Sequence, residues 1–205
     1  MERRFFPMAE VRMAVDGVDG PRRIVGYGAV FNSLSQDLGG FREIVLPGFF
    51  DEVLLDDVRC LNNHDPNQLL GRTASGTMTI RQDELGLRFD TLSPDTSYGH
   101  DLQILIDRGD VDQSSFGWFT KEDRWEERPD GTVIRYLVKA ERLVDVGPVT
   151  FPAYTATSAQ MRSMMGDVPE IPAGLRGATK SADSGDDQGQ ASLDIKRRRL
   201  ELVGL

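Results

Sequence analysis

The sequence predicts a β-rich α+β domain, built as a barrel-like antiparallel sheet or a sandwich with short peripheral helices, and followed by a disordered C-terminal tail. Much of the first 165 residues falls into short runs of β-branched and aromatic residues, separated by Gly, Pro, Asn or Asp. Helical patterns interrupt these runs and do not alternate with them, which argues against a doubly wound sheet. Every aromatic residue lies at or before Tyr154, so the rest of the chain has little with which to build a core.

Four segments carry the predicted strands, at residues 22–31, 77–93, 117–143 and 143–151. In the first, Gly26 and Gly28 indicate a bulge or a close backbone approach. The second reads as two strands joined by a turn around residues 83–86, and the third repeats that plan around residues 129–131. The last segment predicts a separate final strand.

Two short helices are predicted between the strands. One begins at Pro47, a residue favoured in the first turn of a helix, and covers Phe49 to Leu55. The other covers about Tyr98 to Arg108, with its apolar residues on one face and Gly109 as its C-terminal stop.

The composition changes near Gly166 and divides the chain into a domain of residues 1–165 and a flexible tail of residues 166–205. Residues 166–192 are rich in Gly, Pro, Ser and Asp and predict disorder. Residues 193–205 carry the spacing of a weak amphipathic helix, which either stays solvated or docks a partner.

Composition narrows the class of function. The 24 Lys and Arg residues against 33 Asp and Glu give a net charge of −9, which argues against a nucleic-acid partner. No apolar run approaches the roughly 20 residues of a membrane span, and the N-terminal segment lacks the pattern of a secretory signal. The single cysteine, Cys60, excludes an intramolecular disulfide and a Cys-rich zinc site. We expect a soluble protein of a reducing compartment.

His64 is the first candidate for chemistry, because histidine is the side chain best suited to moving protons near neutral pH. It follows an apolar strand and precedes a polar turn, which combines rigid support with access to solvent. The alternative is a turn histidine with Asn63 and Asp65 as local hydrogen-bonding residues.

The other candidate catalytic residues are Ser114, Ser115 and Asp145. The two serines open an apolar strand, where a hydroxyl needs an adjacent base to become a nucleophile, and nearby Gly117 would let a substrate backbone come close. Asp145 interrupts an apolar strand, and a buried carboxylate needs a partner such as a histidine N–H. The alternative for the serines is an ordinary polar strand start. For Asp145 the alternatives are an ion pair with Arg142, Arg135 or Lys139, or placement on the solvent-exposed face of its strand.

The two His-Asp pairs suggest a metal site as a further alternative. His64, Asp65, His100 and Asp101 could together ligate one divalent ion. Their spacing matches none of the compact zinc motifs.

Six sequence segments, taken in order, resemble the prohead proteases of tailed bacteriophages, a family related in fold to the herpesvirus maturation protease. The segments are GYGAVFNSLS (26–35), FREIVLPGFFDEVL (41–54), LNNHDPNQLLGRTASGTMTI (61–80), DELGLRFDTLSPDT (83–96), LIDRGDVDQSSFGWF (105–119) and LVDVGPVTFPAYTATSAQMR (143–162).

The resemblance implies a serine endopeptidase that cleaves major capsid and scaffold proteins inside the procapsid, in the host cytoplasm. Because an exposed, flexible segment is the easiest one for a protease to cut, we also expect self-cleavage between Gly166 and Ser192, with trimming by host proteases as the alternative. It implies catalytic roles for His64, for Ser115 as the serine before Phe-Gly, and for Asp145, with no cofactor. Where this chain has Asp145-Val-Gly-Pro the family often has Glu-Val-Ser, so the third member matches least well. Backbone amides near residues 147–150 are the expected oxyanion donors.

Two other functions stay open at this point. One is a non-catalytic scaffold or capsid-assembly protein with the same fold, which the acidic surface and the helical tail would also suit. The other is an esterase that uses the same three residues on small substrates. Self-association of the chain is left open.

Overall fold

The computed structural model describes residues 1–4, 10–15, 20–150 and 166–175. These residues form ten strands, one α-helix and two 3-10 helices. The strands are β1 (Glu2–Arg4), β2 (Val11–Val15), β3 (Arg22–Val30), β4 (Phe41–Val45), β5 (Arg59–Leu61), β6 (Leu69–Arg72), β7 (Met78–Gln82), β8 (Gly86–Leu92), β9 (Gln113–Glu127) and β10 (Val133–Val149). The α-helix, α1, is Ser97–Arg108, and the 3-10 helices are Asn62–His64 and Ala173–Leu175.

The strands form two open sheets. The larger has the order β1-β9-β10-β5-β6, with β4 also paired to β10, and the smaller has the order β2-β3-β8-β7. The β9–β10 hairpin is antiparallel, whereas β4 and β5 run parallel to β10 along its first and last parts. The prediction of a strand-rich domain is confirmed, but the barrel-like, fully antiparallel sheet is wrong, because alternation along a strand identifies strands without identifying their neighbours.

The two sheets bury a shared core that contains side chains from both, together with one face of α1. An aromatic group lies at its centre, with ring centroids 4.9 Å apart for Phe49 and Phe50, 5.5 Å for Phe50 and Phe116, and 4.5 Å for Phe116 and Trp118. Rings at these distances gain stabilisation beyond that of their buried area. The core therefore fixes β9, the strand that carries both candidate serines.

The predicted strands are confirmed at β3, at the β7–β8 pair and at the β9–β10 hairpin. Gly28 marks the predicted irregularity, since the β3–β8 register shifts between Tyr27 and Ala29. A side chain at Gly28 would place its Cβ 2.4 Å from Val146 of β10. The separate final strand at 143–151 is wrong, because β10 runs without interruption to Val149.

The helix predicted from Pro47 is wrong. Residues 47–55 form a series of turns. Their backbone hydrogen bonds join residues three apart, such as Asp51 N–H to Gly48 O at 3.2 Å, and not four apart as in an α-helix. Gly48 has φ 89°, outside the helical region. Burial of Phe49 and Phe50 in the core, with Leu55 left fully exposed, outweighs the local helical pattern.

The second predicted helix is confirmed as α1. The Thr96 side chain accepts a hydrogen bond from the Gly99 amide at its first turn. Gly109 ends the helix with φ 78°, a left-handed conformation that glycine adopts without steric cost. No helix among the described residues is long and apolar enough to cross a membrane.

The start of the predicted tail contacts the domain. Gly166 forms a bridge with Glu2, and the Asp167 carboxylate pairs with the N-terminal ammonium of Met1 at 2.6 Å. Ile171 contacts a small apolar cluster of the domain. The C-terminal helix and the 176–205 part of the predicted disordered tail lie outside the described residues, and the division at residue 165 stays a prediction.

Candidate active site

The structure brings His64, Ser115 and Asp145 together in one line of hydrogen bonds. His64 Nδ1 contacts Asp145 Oδ1, and His64 Nε2 lies 2.7 Å from Ser115 Oγ. All three residues are buried, with relative exposures of 8%, 1% and 1%. An ionised carboxylate only accepts hydrogen bonds, so Nδ1 carries a proton and Nε2 faces the serine.

His64 lies in a tight turn directly after β5. Asn63 and His64 both adopt left-handed conformations, with φ 53° and 57°. Such conformations are uncommon for residues other than glycine and cost about 1–3 kcal/mol each, so the surrounding structure must impose them. The turn lifts the imidazole off the end of β5 towards β9 and β10.

Side chains of the turn supply that support. The Asn63 amide bridges to Thr150, accepting from its backbone N–H at 2.8 Å and donating to its hydroxyl at 3.0 Å. Asp65 accepts from the backbone N–H of Asn67 at 2.9 Å, and this bond lowers the pKa of the Asp65 carboxyl. The local hydrogen bonds predicted as the alternative role for this turn therefore exist and hold His64 in its position.

Ser115 and Ser114 face opposite sides of β9. The Ser115 hydroxyl lies against His64, whereas the Ser114 hydroxyl donates to the backbone carbonyl of Tyr27. This is the alternation expected of neighbouring strand residues. Ser115 therefore has beside it the base that a serine nucleophile needs.

Asp145 lies on β10 between β5 and β9, opposite Arg59 on one side and Gly117 on the other. The predicted alternative of a surface ion pair is wrong, since Asp145 is buried and contacts His64. A side chain at Gly117 would place its Cβ 2.9 Å from Asp145 Oδ2. The space at Gly117, predicted to admit a substrate backbone, is thus filled by the carboxylate.

We expect Gly117→Ala to slow the reaction of Ser115 with a fluorophosphonate probe by about 10- to 100-fold, because a carboxylate displaced by a methyl group misorients the base it holds. The rate of covalent labelling measures the effect. Gly174→Ala is the matched control, since a Cβ there would meet nothing within 4 Å. Equal labelling of Gly117→Ala and wild type would show that the carboxylate position does not matter.

Gly147 secures the neighbouring strand contact. A Cβ at this position would lie 2.2 Å from the backbone carbonyl of Leu61, the last residue of β5. Only glycine allows β10 to approach β5 this closely. Gly147 therefore allows the turn that carries His64, directly after β5, to lie against β10.

The expected oxyanion donors near residues 147–150 are only partly available. Pro148 has no N–H, and the Thr150 N–H is donated to the Asn63 side chain. Gly147 and Val149 lie in the pairing with β9, opposite Ser115 and Gln113. Two of the four expected amides therefore cannot serve.

The metal site is not formed by the residues proposed for it. His64 is bound to Asp145 and Ser115, and His100 contacts Asp95 at 3.1 Å on the exposed surface of α1. Within the described part of the chain, no three His, Cys, Asp or Glu side chains form a group that could hold a metal ion.

Cys60 is buried in β5, and burial raises the pKa of its thiol, as expected of a core residue.

A contact between Ser115 and the N-terminal strand was not predicted from the sequence. The Ser115 hydroxyl lies 2.9 Å from the backbone carbonyl oxygen of Arg4, on the N-terminal strand β1. The three-residue run of β1 is too short and too charged to be recognised as a strand from its sequence. Its place beside β9 could only be found from the structure.

Chemically, a serine, a histidine and an aspartate in this order allow the histidine to take a proton from the serine while the carboxylate balances the imidazolium charge. No curated protein and no solved structure matches the chain. A family model described as caudovirus prohead serine protease matches residues 9–169. That match spans most of the chain and all three residues, so the chain belongs to the caudovirus prohead serine protease family.

Proposed function

We propose that this chain is a serine endopeptidase that cleaves major capsid and scaffold proteins inside the procapsid, in the host cell. The observation that carries the proposal is the buried Asp145–His64–Ser115 line of hydrogen bonds. The family description supports the reaction class and the setting. The relation in fold to the herpesvirus protease remains a prediction from the resemblance.

The proposed reaction follows from the positions of the three side chains. Ser115 Oγ attacks the scissile carbonyl carbon while His64 Nε2 takes the hydroxyl proton, and Asp145 balances the charge on the imidazolium. His64 then gives that proton to the leaving amine as the peptide bond breaks. A water molecule then attacks the resulting ester while His64 takes its proton. As the ester C–O bond breaks, His64 returns that proton to Ser115 Oγ and the new carboxyl end of the substrate leaves. No step in this sequence uses a cofactor.

A non-catalytic scaffold or assembly protein is a weaker explanation of the same structure. Burying a carboxylate, an imidazole and a hydroxyl is costly unless each is paired. Two left-handed residues in the His64 turn add strain that a scaffold would have no need to maintain. An arrangement of this kind is typical of a reacting site.

The test is co-expression of the intact chain with the capsid and scaffold proteins, followed by mass spectrometry of the fragments. We expect defined cuts with the wild-type chain and none with Ser115→Ala. The same spectra test self-cleavage between Gly166 and Ser192, because a tail clipped equally in both chains would exclude it. Labelling of Ser115 by a fluorophosphonate probe without any protein cleavage would instead favour an esterase.

We expect the rate of fluorophosphonate labelling to rise by about tenfold per pH unit on the acid side of a single transition, because only neutral His64 can accept the serine proton. The rate should then level off once the histidine is neutral. A chelator should leave the rate unchanged. Loss of activity with chelator, restored by zinc, would contradict a reaction that depends on Ser115, His64 and Asp145 alone.

A further inference from the structure

The N-terminal strand β1 lies along the edge of β9 beside the candidate nucleophile. It pairs antiparallel with β9, placing Glu2 opposite Trp118, Arg3 opposite Gly117 and Arg4 opposite Phe116. An extended segment added to a sheet edge is a common way for a protein to bind a peptide. We call this edge of β9, from Phe116 to Trp118, the strand groove.

The backbone carbonyl of Arg4 lies beside the hydroxyl of the candidate nucleophile. Its oxygen lies 2.9 Å from Ser115 Oγ, close to the 2.7 Å that separates Oγ from His64 Nε2. The serine has one hydroxyl proton, so it donates either to Arg4 or to His64. While the hydroxyl donates to the carbonyl oxygen, its proton is not directed at His64 Nε2, so the base cannot take it. The contact is therefore that of a bound but unreactive segment.

The side chain of Arg4 is enclosed on the other face of β9. It is 2% exposed, and its Nε donates to Glu43 Oε2 at 2.9 Å. Its Nη2 donates to Glu2 Oε2 at 3.3 Å and to the backbone carbonyl of Asp167 at 3.2 Å. The guanidinium also lies 5.7 Å from the centre of the Trp118 ring, within the range of a cation–π contact.

Glu43 is the fixed part of this enclosure. It belongs to β4, it is fully buried, and its backbone N–H is held by the Ser35 hydroxyl at 2.7 Å. Its carboxylate is shared between Arg4 and Arg135, with Arg135 Nη1 at 2.8 Å from Oε1. Burial raises the pKa of the Glu43 carboxyl, and the charges of both arginines oppose that shift.

Arg135 lies on β10 and would keep hydrogen-bond partners on the neighbouring strand β9 if Arg4 were absent. Its Nε donates to Asp123 Oδ2 at 2.6 Å and its Nη2 to the Thr120 hydroxyl at 3.2 Å. If β1 were withdrawn, Glu43 Oε2 would lose the guanidinium of Arg4, and the space between Glu43 and the Trp118 ring could accept another guanidinium. An arginine of another chain could occupy that space with its backbone along β9.

We propose that substrates bind in the strand groove and that β1, which occupies it, competes with them. We further propose that Glu43 selects substrates with arginine immediately before the scissile bond. This proposal rests on the proposed function. Arginine suits the site better than lysine, because its planar guanidinium donates to Glu43 and to a carbonyl at the same time, whereas an ammonium is a single point charge.

The first experiment measures cleavage of quenched fluorescent peptides by the full-length chain and its Arg4→Ala variant. The peptides carry Glu-Arg-Arg, Glu-Arg-Lys, Glu-Arg-Gln or Glu-Gln-Arg before the same cleavable bond. We expect glutamine in the last position to lower kcat/KM by about 100-fold or more, since it leaves Glu43 without its charged partner. Lysine there should give an intermediate value, and glutamine in the middle position should cost less than about tenfold. Equal cleavage of all four peptides would overturn the proposal.

The second experiment tests the competitor. Arg4→Ala removes the anchor of β1, so we expect the kcat/KM for the Glu-Arg-Arg peptide to rise by about tenfold, as a competing occupant is lost from the groove. Arg22→Ala is the matched control, because it breaks an exposed ion pair with Asp107. An unchanged or lowered kcat/KM in Arg4→Ala would show that β1 is a permanent part of the site.

Glu43→Gln tests the selecting residue directly and should reduce the preference for arginine over glutamine to within about tenfold. If that buried variant does not fold, the peptide series on the wild-type chain still decides the proposal. Fluorophosphonate labelling shows whether the serine is reactive, independently of any preference for arginine. Labelled Ser115 with no arginine preference would overturn only this proposal, whereas no labelling of wild type or of Arg4→Ala would overturn the proposed function.

Discussion

Ser115→Ala is expected to abolish cleavage of capsid and scaffold proteins, with a loss of about a millionfold in rate, because it removes the hydroxyl that forms the ester intermediate. Ser115 is buried and has the histidine beside it at 2.7 Å. The measurement is the appearance of cleavage fragments over time by mass spectrometry. Folding of the variant is checked by its thermal unfolding.

Ser114→Ala is the matched control for this prediction. It removes the same group from the adjacent residue, whose hydroxyl is bonded to the Tyr27 carbonyl on the opposite face of β9. We expect this variant to lose some stability and to keep substantial activity. Equal loss in both variants, or full activity in Ser115→Ala, would remove Ser115 from the role of nucleophile.

His64→Ala should be as damaging as Ser115→Ala, and the double variant should be no worse than either. Groups that act as one unit are strongly non-additive, because the nucleophile without its base is already inactive. Additive losses would mean that the two residues contribute separately, contrary to the hydrogen bond between them.

The sequence predicts three candidate residues that the structure brings together, although the pairs His64–Ser115 and His64–Asp145 lie 51 and 81 positions apart. Each carries a signal of its own: a histidine after an apolar strand, a serine before Phe-Gly and an acid within an apolar run. The family segments then supplied the order. What the sequence could not supply was the distance between them, which depends on β5 and β9 both pairing with β10.

The errors in the predicted fold have a common physical cause. Local patterns describe one segment, whereas the turns after Pro47 and the parallel pairing of β4 with β10 depend on distant partners. The same holds for β1, whose charged residues gave no strand pattern and which is stabilised by Glu43 and Arg135 far along the chain. Tertiary contacts of this kind override propensity.

Asp145→Asn is expected to lower the rate of cleavage by about 10⁴-fold while leaving the fold intact. The asparagine has nearly the same shape, so it fits the space against Gly117, but it is neutral and cannot balance the charge on the imidazolium. It can also present its amide N–H₂ to Nδ1, which would favour the tautomer with the proton on Nε2 and leave the serine without an acceptor. The effect is measured as the fragment-formation rate. Asp90→Asn is the matched control, since Asp90 is a strand carboxylate paired with Arg23 at 2.6 Å in the smaller sheet. If Asp145→Asn cleaved at the wild-type rate, the contact between His64 and Asp145 would be structural, and the orienting role would belong to another residue.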